Sequence, residues 1–437
     1  MMSFLAMREL VEGGELSEEE LFGCVLKQVE ADASFMAWEW TYRSWEEAMA
    51  GRWRSSKGPL PLLGLPLGVK DIFNSQTGTT EMGSPAWRGH TAGNDARVLA
   101  EFIYQGACMV GKTTAAEFAV HALPRTLNPW DITVTPGTSS SGAAVAVALG
   151  HVPVALATQT AGSITRPASF TGTVGFKPTP GVYPRTGVLK TCDPFDTVGF
   201  ICRYLEDIEP IFDATRVRGK NYPFTEAGLQ EAYGRVNAAH PFRVARIRTP
   251  FTRFEAAEIT AAVDGFLDSL PAGEVEVVEL DLTAILQDAD EIHADIYNKA
   301  LSYYFAIERA RKASFSPIME EIFARGDAVT PDQYRARLEQ LVPLKEAFRH
   351  ATEAIDLICV ASTATTAPRR GTTELPDSSR YWTMLHLPSL SVPLFISAAS
   401  GRPFGAQLVG ARKFLEPVIF RFLRAVGVDS GALKTLR

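Results

Sequence analysis

The chain has 437 residues, is 46% hydrophobic and 21% charged, and sets 43 Lys and Arg against 50 Asp and Glu for a formal charge of -7. That hydrophobic fraction excludes a disordered chain, and the mild acidity argues against a nucleic-acid binder, which normally presents a basic face. With no apolar run of 18 residues, no signal-peptide pattern at the start and five scattered cysteines without a CxxC pair, we expect a reduced, cytoplasmic protein that neither enters a membrane nor builds a disulfide framework or zinc site.

In chain order, Ser17-Glu18-Glu19-Glu20 is a capping box before Leu21, Phe22, Val25, Leu26 and Val29, so the start reads as two helices. Residues 61–70 are apolar and punctuated by Pro and Gly, more strand and loop than helix. Residues 95–105 read as a helix with Val98, Leu99, Phe102 and Ile103 on one face, and 107–110 as a short buried strand. Residues 141–149 read as a fully buried helix and 152–157 as a strand. After Arg203, strand-like 243–247 and 275–280 alternate with helix-like 255–270. Helical sequence dominates 285–350, a buried strand resumes at 356–360, and 390–395 and 405–409 read as strands. The alternation predicts an α/β layer structure around a mostly buried sheet. We expect one domain over 1–437: N-terminal helices to 60, a central region 61–215, a helix-rich middle section 216–350, and a C-terminal segment 351–437 that completes the core. A separate middle domain stays open.

Charge is distributed unevenly. Residues 132–165 are 34 positions without Asp, Glu, Lys or Arg, where the average composition gives about 7; after Arg166 the next charge is Lys177. A helix with no polar face does not lie on a surface, so this stretch belongs to the interior, and its Gly, Ser and Thr residues need a reason to be there.

Gly106-Ala107-Cys108-Met109-Val110-Gly111-Lys112-Thr113 matches the phosphate-binding GxxxxGK[ST] pattern. That site requires a strand before the first Gly and a helix starting at the Lys. Here a helix comes first and apolar residues fill the loop, so a helix-turn-strand connection is preferred and a nucleotide site is the remote alternative. The seven histidines form no HxxxH or HxH pair, and His151 reads as a hydrogen-bonded residue rather than a ligand.

Three pieces carry chemistry. They are Gly68-Val69-Lys70-Asp71, Thr135-Pro136-Gly137-Thr138-Ser139-Ser140-Ser141-Gly142, and Thr158-Gln159-Thr160-Ala161-Gly162-Ser163-Ile164-Thr165-Arg166-Pro167. Each has a plain reading: a solvated strand end, a helix cap, a turn. Those readings leave unexplained why two Gly/Ser-rich loops flank one uncharged helix-strand unit. Together the pieces resemble the amidase signature family, serine hydrolases with a Ser-cisSer-Lys triad. The resemblance runs over about 62–198 and returns at 385–410 with Leu387-Pro388-Ser389-Leu390-Ser391-Val392-Pro393 and Gly405-Ala406-Gln407-Leu408-Val409-Gly410.

The resemblance implies the amidase signature fold, a large mixed twisted β-sheet covered by helices on both faces, and an acyl-enzyme mechanism without metal or organic cofactor. It makes Ser163 the nucleophile, Ser139 the relay after a cis peptide bond, and Lys70 the base. Their spacings of 24 and 69 residues fit the family. The backbone N–H groups of Thr160, Ala161, Gly162 and Ser163 would form the oxyanion hole. Elementary chemistry agrees: a serine needs a base, and desolvation in an uncharged interior lowers a lysine's pKa so that it can serve.

The family often has Asp where this chain has Gln159, and Gly at Thr138, Ser141 and Ala161. Its usual Arg two places after the nucleophile is Thr165 here, with Arg166 one place later. The Ser-x-x-Arg-Pro form resembles malonamidase-like members, in which the arginine holds a substrate carboxylate. The plain alternative is a buried arginine satisfied by backbone carbonyls or an internal acid. The expected activity is hydrolysis of a small-molecule amide, with a carboxylate-bearing amide as one class. The alternative is an amidotransferase A-type subunit releasing ammonia from glutamine for a partner, and a homodimer stays open. Tyr297, Tyr303, Tyr304, Phe305 and Arg380-Tyr381-Trp382 are candidates for the pocket's far wall.

Overall fold

The computed structural model describes residues 2–56, 58–236 and 241–428. Its strands are β1 (Trp38–Thr41), β2 (Pro66–Lys70), β3 (Cys108–Thr113), β4 (Val154–Gln159), β5 (Val174–Lys177), β6 (Thr197–Cys202), β7 (Phe242–Arg248), β8 (Val275–Asp281), β9 (Leu357–Ala361), β10 (Ser389–Ile396) and β11 (Pro403–Gly410). They join in one sheet of order β1-β3-β2-β4-β6-β5-β10-β11-β9-β7-β8. Pairing is parallel for β2 with β3 and β4, and for β7 with β8 and β9; the other pairs are antiparallel. It is a large mixed sheet of the kind that the family resemblance implies.

Every residue of β2, β3, β4, β5, β6, β9 and β11 is buried. Successive strand residues point to opposite faces, so both faces are covered. In β9, Leu357, Cys359 and Ala361 pack into one apolar cluster while Ile358 and Val360 pack into another. Edge strand β8 is mostly uncovered instead, with Glu276 and Glu279 exposed, as suits an edge that avoids pairing.

The capping box at Ser17 is present, with Glu20 N–H donating to Ser17 Oγ and Ser17 N–H to Glu20 Oε2. The charge-free stretch forms the helix Ser141–Ala148, buried at every position. Its small residues let it sit hard against the sheet: a Cβ on Gly142 would lie 2.3 Å from the Thr114 nitrogen. The middle section contributes helices Thr283–Leu286, Ala289–Tyr304, Ala306–Ala310, Pro317–Ala328 and Pro331–Ala351.

Two differences from the sequence reading have physical causes. The strand expected at 107–110 continues to Thr113 because β1 and β2 pair with its far end, and Gly111 is required where Trp40 O would lie 2.2 Å from an added Cβ. Residues 108–113 are therefore a strand and not a phosphate loop. Strands β5 and β6 give no separate signal in the sequence, because each is a short run holding a glycine, close to Gly- and Pro-containing turns. Among the described residues no helix is long and apolar enough to cross a membrane.

Candidate active site

Lys70 ends β2, the strand between β3 and β4, and is fully buried. Its ammonium donates to three hydroxyls: Ser139 Oγ at 2.7 Å, Ser140 Oγ at 3.0 Å and Thr158 Oγ1 at 3.1 Å. Burial lowers its pKa to about 7, against the pull of the Asp196 carboxylate in the other direction. Two of the three acceptors precede the helix Ser141–Ala148 and the third is on β4, so the uncharged helix-strand unit forms the lysine's cage.

Ser139 donates to Ala119 O at 3.0 Å. Among the described residues no peptide bond is cis. The bond before Ser139 is therefore trans, contrary to the expectation drawn from the family resemblance. The chain turns instead through the torsion of Ser139 itself, whose φ is 21°, and through Phe118 and Ala119 at 45° and 57°. Each residue in this sparsely populated region costs on the order of 1–3 kcal/mol. Such torsions gather where site geometry is over-determined, as it is here by Lys70 and Ala119.

The loop after β4 is shaped by side chains from four directions. Gln159 Oε1 accepts from the N–H groups of Ile164 and Thr165 at 2.8 and 3.0 Å, and its Nε2 donates to Thr383 Oγ1 at 3.0 Å. Thr383 Oγ1 donates to Ala161 O at 2.8 Å. His293 Nε2 bonds Thr160 O at 3.0 Å, and because a carbonyl only accepts, His293 is the Nε2–H tautomer. Burial lowers its pKa to about 4, so it is neutral. Thr160 Oγ1 donates to Asp196 Oδ1 at 2.7 Å. In a trans peptide the C=O and the following N–H point in opposite directions. Fixing the carbonyls of Thr160 and Ala161 on His293 and Thr383 thus turns the N–H groups of Ala161 and Gly162 the other way.

Ser163 lies partly exposed on this loop and lines a cleft of about 680 Å³, together with Thr160, Ala161, Gly162 and Arg166. No hydrogen bond joins its hydroxyl to Ser139, whose Oγ is engaged by Lys70 and Ala119.

Arg166 donates from Nε to Asp377 Oδ2 at 2.7 Å and from Nη1 to Glu374 Oε2 at 2.9 Å. Burial alone would lower its pKa, but Asp377 and then Glu374 outweigh it and hold it above the ordinary value. The arginine thus has internal acids as partners, the plain alternative of the sequence reading. Of the proposed far-wall residues, Tyr297 and Arg380 line the cleft. Tyr303 is exposed, Phe305 packs in the core on Phe118, and Tyr381 and Trp382 are buried. Tyr304 bonds Asp193. Arg380 pairs with Asp290.

Lys112 is equally buried. Its Nζ bonds Phe73 O and Thr80 Oγ1 (2.7 Å) and lies 3.6 Å from Asp71 Oδ1. Nothing there is shaped to receive a phosphate. His151 accepts from Trp38 Nε1 and contacts Asp32, a hydrogen-bonded core residue as expected. Sequence reasoning missed Thr158, Ser140, Asp196, His293 and Thr383. The first two lie inside the charge-free stretch, where any hydroxyl beside Lys70 is a candidate. The other three come from distant segments and carry no local signal.

The family model described as Amidase matches residues 26–414. The A subunit of a glutamyl-tRNA(Gln) amidotransferase from Roseiflexus castenholzii (strain DSM 13941 / HLO8) is 29% identical over 460 residues, covering 95% of this chain and 93% of that one. A crystal structure of an amidase shares the fold with a TM-score of 0.82 at 24% identity, over 97% of this chain and 99% of that one. The native peptide amidase from Stenotrophomonas maltophilia does so with a TM-score of 0.78 at 22% identity, over 98% and 97%. With the family match spanning most of its length, the chain belongs to the amidase family, the amidase signature enzymes that act on carbon–nitrogen bonds of amides.

Proposed function

We propose that the chain cleaves a carboxamide through an acyl-enzyme on Ser163, with Lys70 as base acting through Ser139. The observation that carries this is Lys70 itself: a buried lysine whose direct partners are three hydroxyls and no acid. With a pKa lowered to about 7, it is neutral in a large fraction of molecules at neutral pH. Neutral Lys70 has two N–H bonds and a lone pair. Ser140 already donates to Thr158 O at 3.3 Å, so it accepts from the lysine. With Ser140 and Thr158 taking the two N–H bonds, the lone pair is left for the Ser139 hydroxyl once its proton turns from Ala119 O toward the lysine.

Ser139 then passes its proton to Lys70 and takes the proton of Ser163, whose Oγ attacks the amide carbon. Catalytic hydrogen bonds are often open without substrate and tighten when it binds, which is the step that brings Ser163 onto Ser139. The oxyanion is held by the N–H groups of the 160–163 loop; one such donor is worth about 10²–10³ in rate. Collapse breaks the C–N bond, the proton returns through Ser139 to the leaving nitrogen, and water hydrolyses the ester by the same route.

A second reading shares this half-reaction: a glutamine-cleaving subunit that delivers ammonia to a partner. The relatives named as A subunits of glutamyl-tRNA(Gln) amidotransferase, similar over nearly the whole chain, favour it over a free-standing amidase. The test is ammonia release by the purified chain from a panel of simple amides and from glutamine, for wild type and Ser163→Ala. Loss of all release in Ser163→Ala supports the acyl-enzyme, and retained turnover removes it. Rapid release from simple amides by the chain alone favours the free-standing amidase. Release that requires an added partner favours the glutamine-cleaving role.

A further inference from the structure

We infer that Asp196 is a positioning residue of this hydrolytic site: it fixes the 160–163 loop through Thr160 and sets a negative charge facing Lys70. The inference rests on the Lys70–Ser139–Ser163 reading and adds to it a group outside the three sequence pieces that carry the triad.

Asp196 stands just before β6 and is 9% exposed. Both carboxylate oxygens are filled. Oδ1 accepts from Thr160 Oγ1 at 2.7 Å and Thr191 Oγ1 at 2.6 Å. Oδ2 accepts from the N–H groups of Thr191 and Cys192 at 2.9 and 3.0 Å, and Arg185 Nη1 lies 3.4 Å away. A carboxylate held by this many donors does not move, and charge-assisted bonds are the strong ones. Thr160 is therefore gripped on two sides, its hydroxyl by Asp196 and its carbonyl by His293. The peptide plane that ends in the Ala161 N–H is set by that grip.

The same carboxylate lines one small cavity with Thr158, a partner of Lys70, and Ala119, the acceptor of Ser139, and from there it acts on Lys70 through space, opposing the effect of burial. Among the described residues, the side chains hydrogen-bonded to Lys70 are hydroxyls: Ser139 and Ser140 ahead of the helix Ser141–Ala148, and Thr158 from β4. Around Asp196 stand Arg185, Cys192 and Asp193 from the segment between β5 and β6, and Tyr297 and Tyr304 from the helix Ala289–Tyr304. Burial pushes Cys192, Tyr297 and Tyr304 up and so keeps them neutral, while Tyr304 and Arg185 hold Asp193 ionised against its own burial. Near neutral pH, Lys70 is the group in this set that titrates.

The test needs no knowledge of the substrate. Phenylmethanesulfonyl fluoride sulfonylates an activated serine: the Ser163 O–S bond forms, S–F breaks, fluoride leaves and the serine proton passes to the base. The second-order rate is measured from about pH 5 to about pH 9, with the labelled residue located by mass spectrometry, for wild type, Ser163→Ala, Asp196→Asn and Thr160→Val. On the free enzyme such a profile reports the base. Removing a negative charge disfavours the ammonium, so the acid limb of Asp196→Asn moves to lower pH by about half a unit or more. Its plateau falls about tenfold or more as the loop loosens. Thr160→Val keeps the charge and loses the grip, so its plateau falls while its acid limb stays in place.

An Asp196→Asn protein that melts like wild type and keeps both limb and plateau overturns the inference. If Asp196→Asn does not fold, Thr160→Val decides: an unchanged plateau overturns the positioning role. A wild-type chain labelled elsewhere than Ser163 overturns the triad reading instead, which separates the two failures.

Discussion

Lys70 at the end of β2 and Lys112 near the end of β3 lie on adjacent parallel strands, with Val69 opposite Lys112 and Lys70 opposite Thr113. Both are completely buried, and burial lowers both pKa values. Their partners separate them. Lys112 faces the Asp71 carboxylate, the Phe73 carbonyl and Thr80, groups that end in the core. Lys70 faces three hydroxyls, and one of them, Ser139, is in the proposed mechanism the next step toward the loop that carries Ser163. A desolvated lysine becomes a base only where its contacts can give up and accept protons in a direction that leads to the cleft. Beside an acid, the same side chain is a structural fastening.

The largest expected effect breaks the catalytic side of this comparison. Lys70→Met removes the proposed base and should lower kcat by about 10²–10⁴, measured as amide turnover, while thermal melting changes little because the stem is apolar in both. In wild type, kcat/KM should fall as pH drops through about 7, since Lys70 holds its proton below that point and cannot accept one. A profile flat from about pH 5 upward would show that the lysine is not the titrating base.

The structural side breaks differently. Lys112→Met takes away the cation 3.6 Å from Asp71 Oδ1, a buried oxygen that has no hydrogen-bond partner of its own. Removing one member of a buried pair costs about 3–5 kcal/mol, so the melting temperature should fall by many degrees, with residual activity tracking the folded fraction. A Lys112→Met protein that melts normally but is inactive would give this second lysine a role in the chemistry.

How far the sequence reveals this contrast depends on distance along the chain. The charge-free stretch 132–165 marks the buried helix Ser141–Ala148 and β4, and with them the hydroxyl cage of Lys70, because an uncharged run can only lie inside. Lys112 looks like a phosphate-binding lysine by pattern alone; the sequence already sets a helix before that pattern and a strand at 107–110, and the pairing of β3 with β1 and β2 carries the strand on through Lys112. The groups that fix the 160–163 loop are not legible. His293, Thr383 and Asp196 reach it from 133, 222 and 36 residues away, and a hydrogen bond across such separations leaves no periodicity behind. The turn at Ser139 departs from expectation for a different reason. The family resemblance implies a cis bond, whereas the reversal here is made by a φ of 21°.

Arg166 sharpens the comparison from the cleft side with the smallest effect. Like Lys112 it faces acids, Asp377 and Glu374, yet like Lys70 it belongs to the site, three residues after Ser163 and on the cleft wall. If its partners decide its role, as they do for the lysines, it fastens residues 374–377 over the cleft. Arg166→Ala should then lower kcat/KM about tenfold, the loss of a charge-assisted contact worth roughly 1.5 kcal/mol at the low end of its range. That loss should be the same for amides with and without a free carboxylate. Adding Asp377→Asn to Arg166→Ala removes one of the two acids left facing each other and should recover part of it. A loss confined to carboxylate-bearing amides would mean the opposite: substrate displaces Glu374 or Asp377 from the guanidinium, and the internal acids hold the place of the ligand.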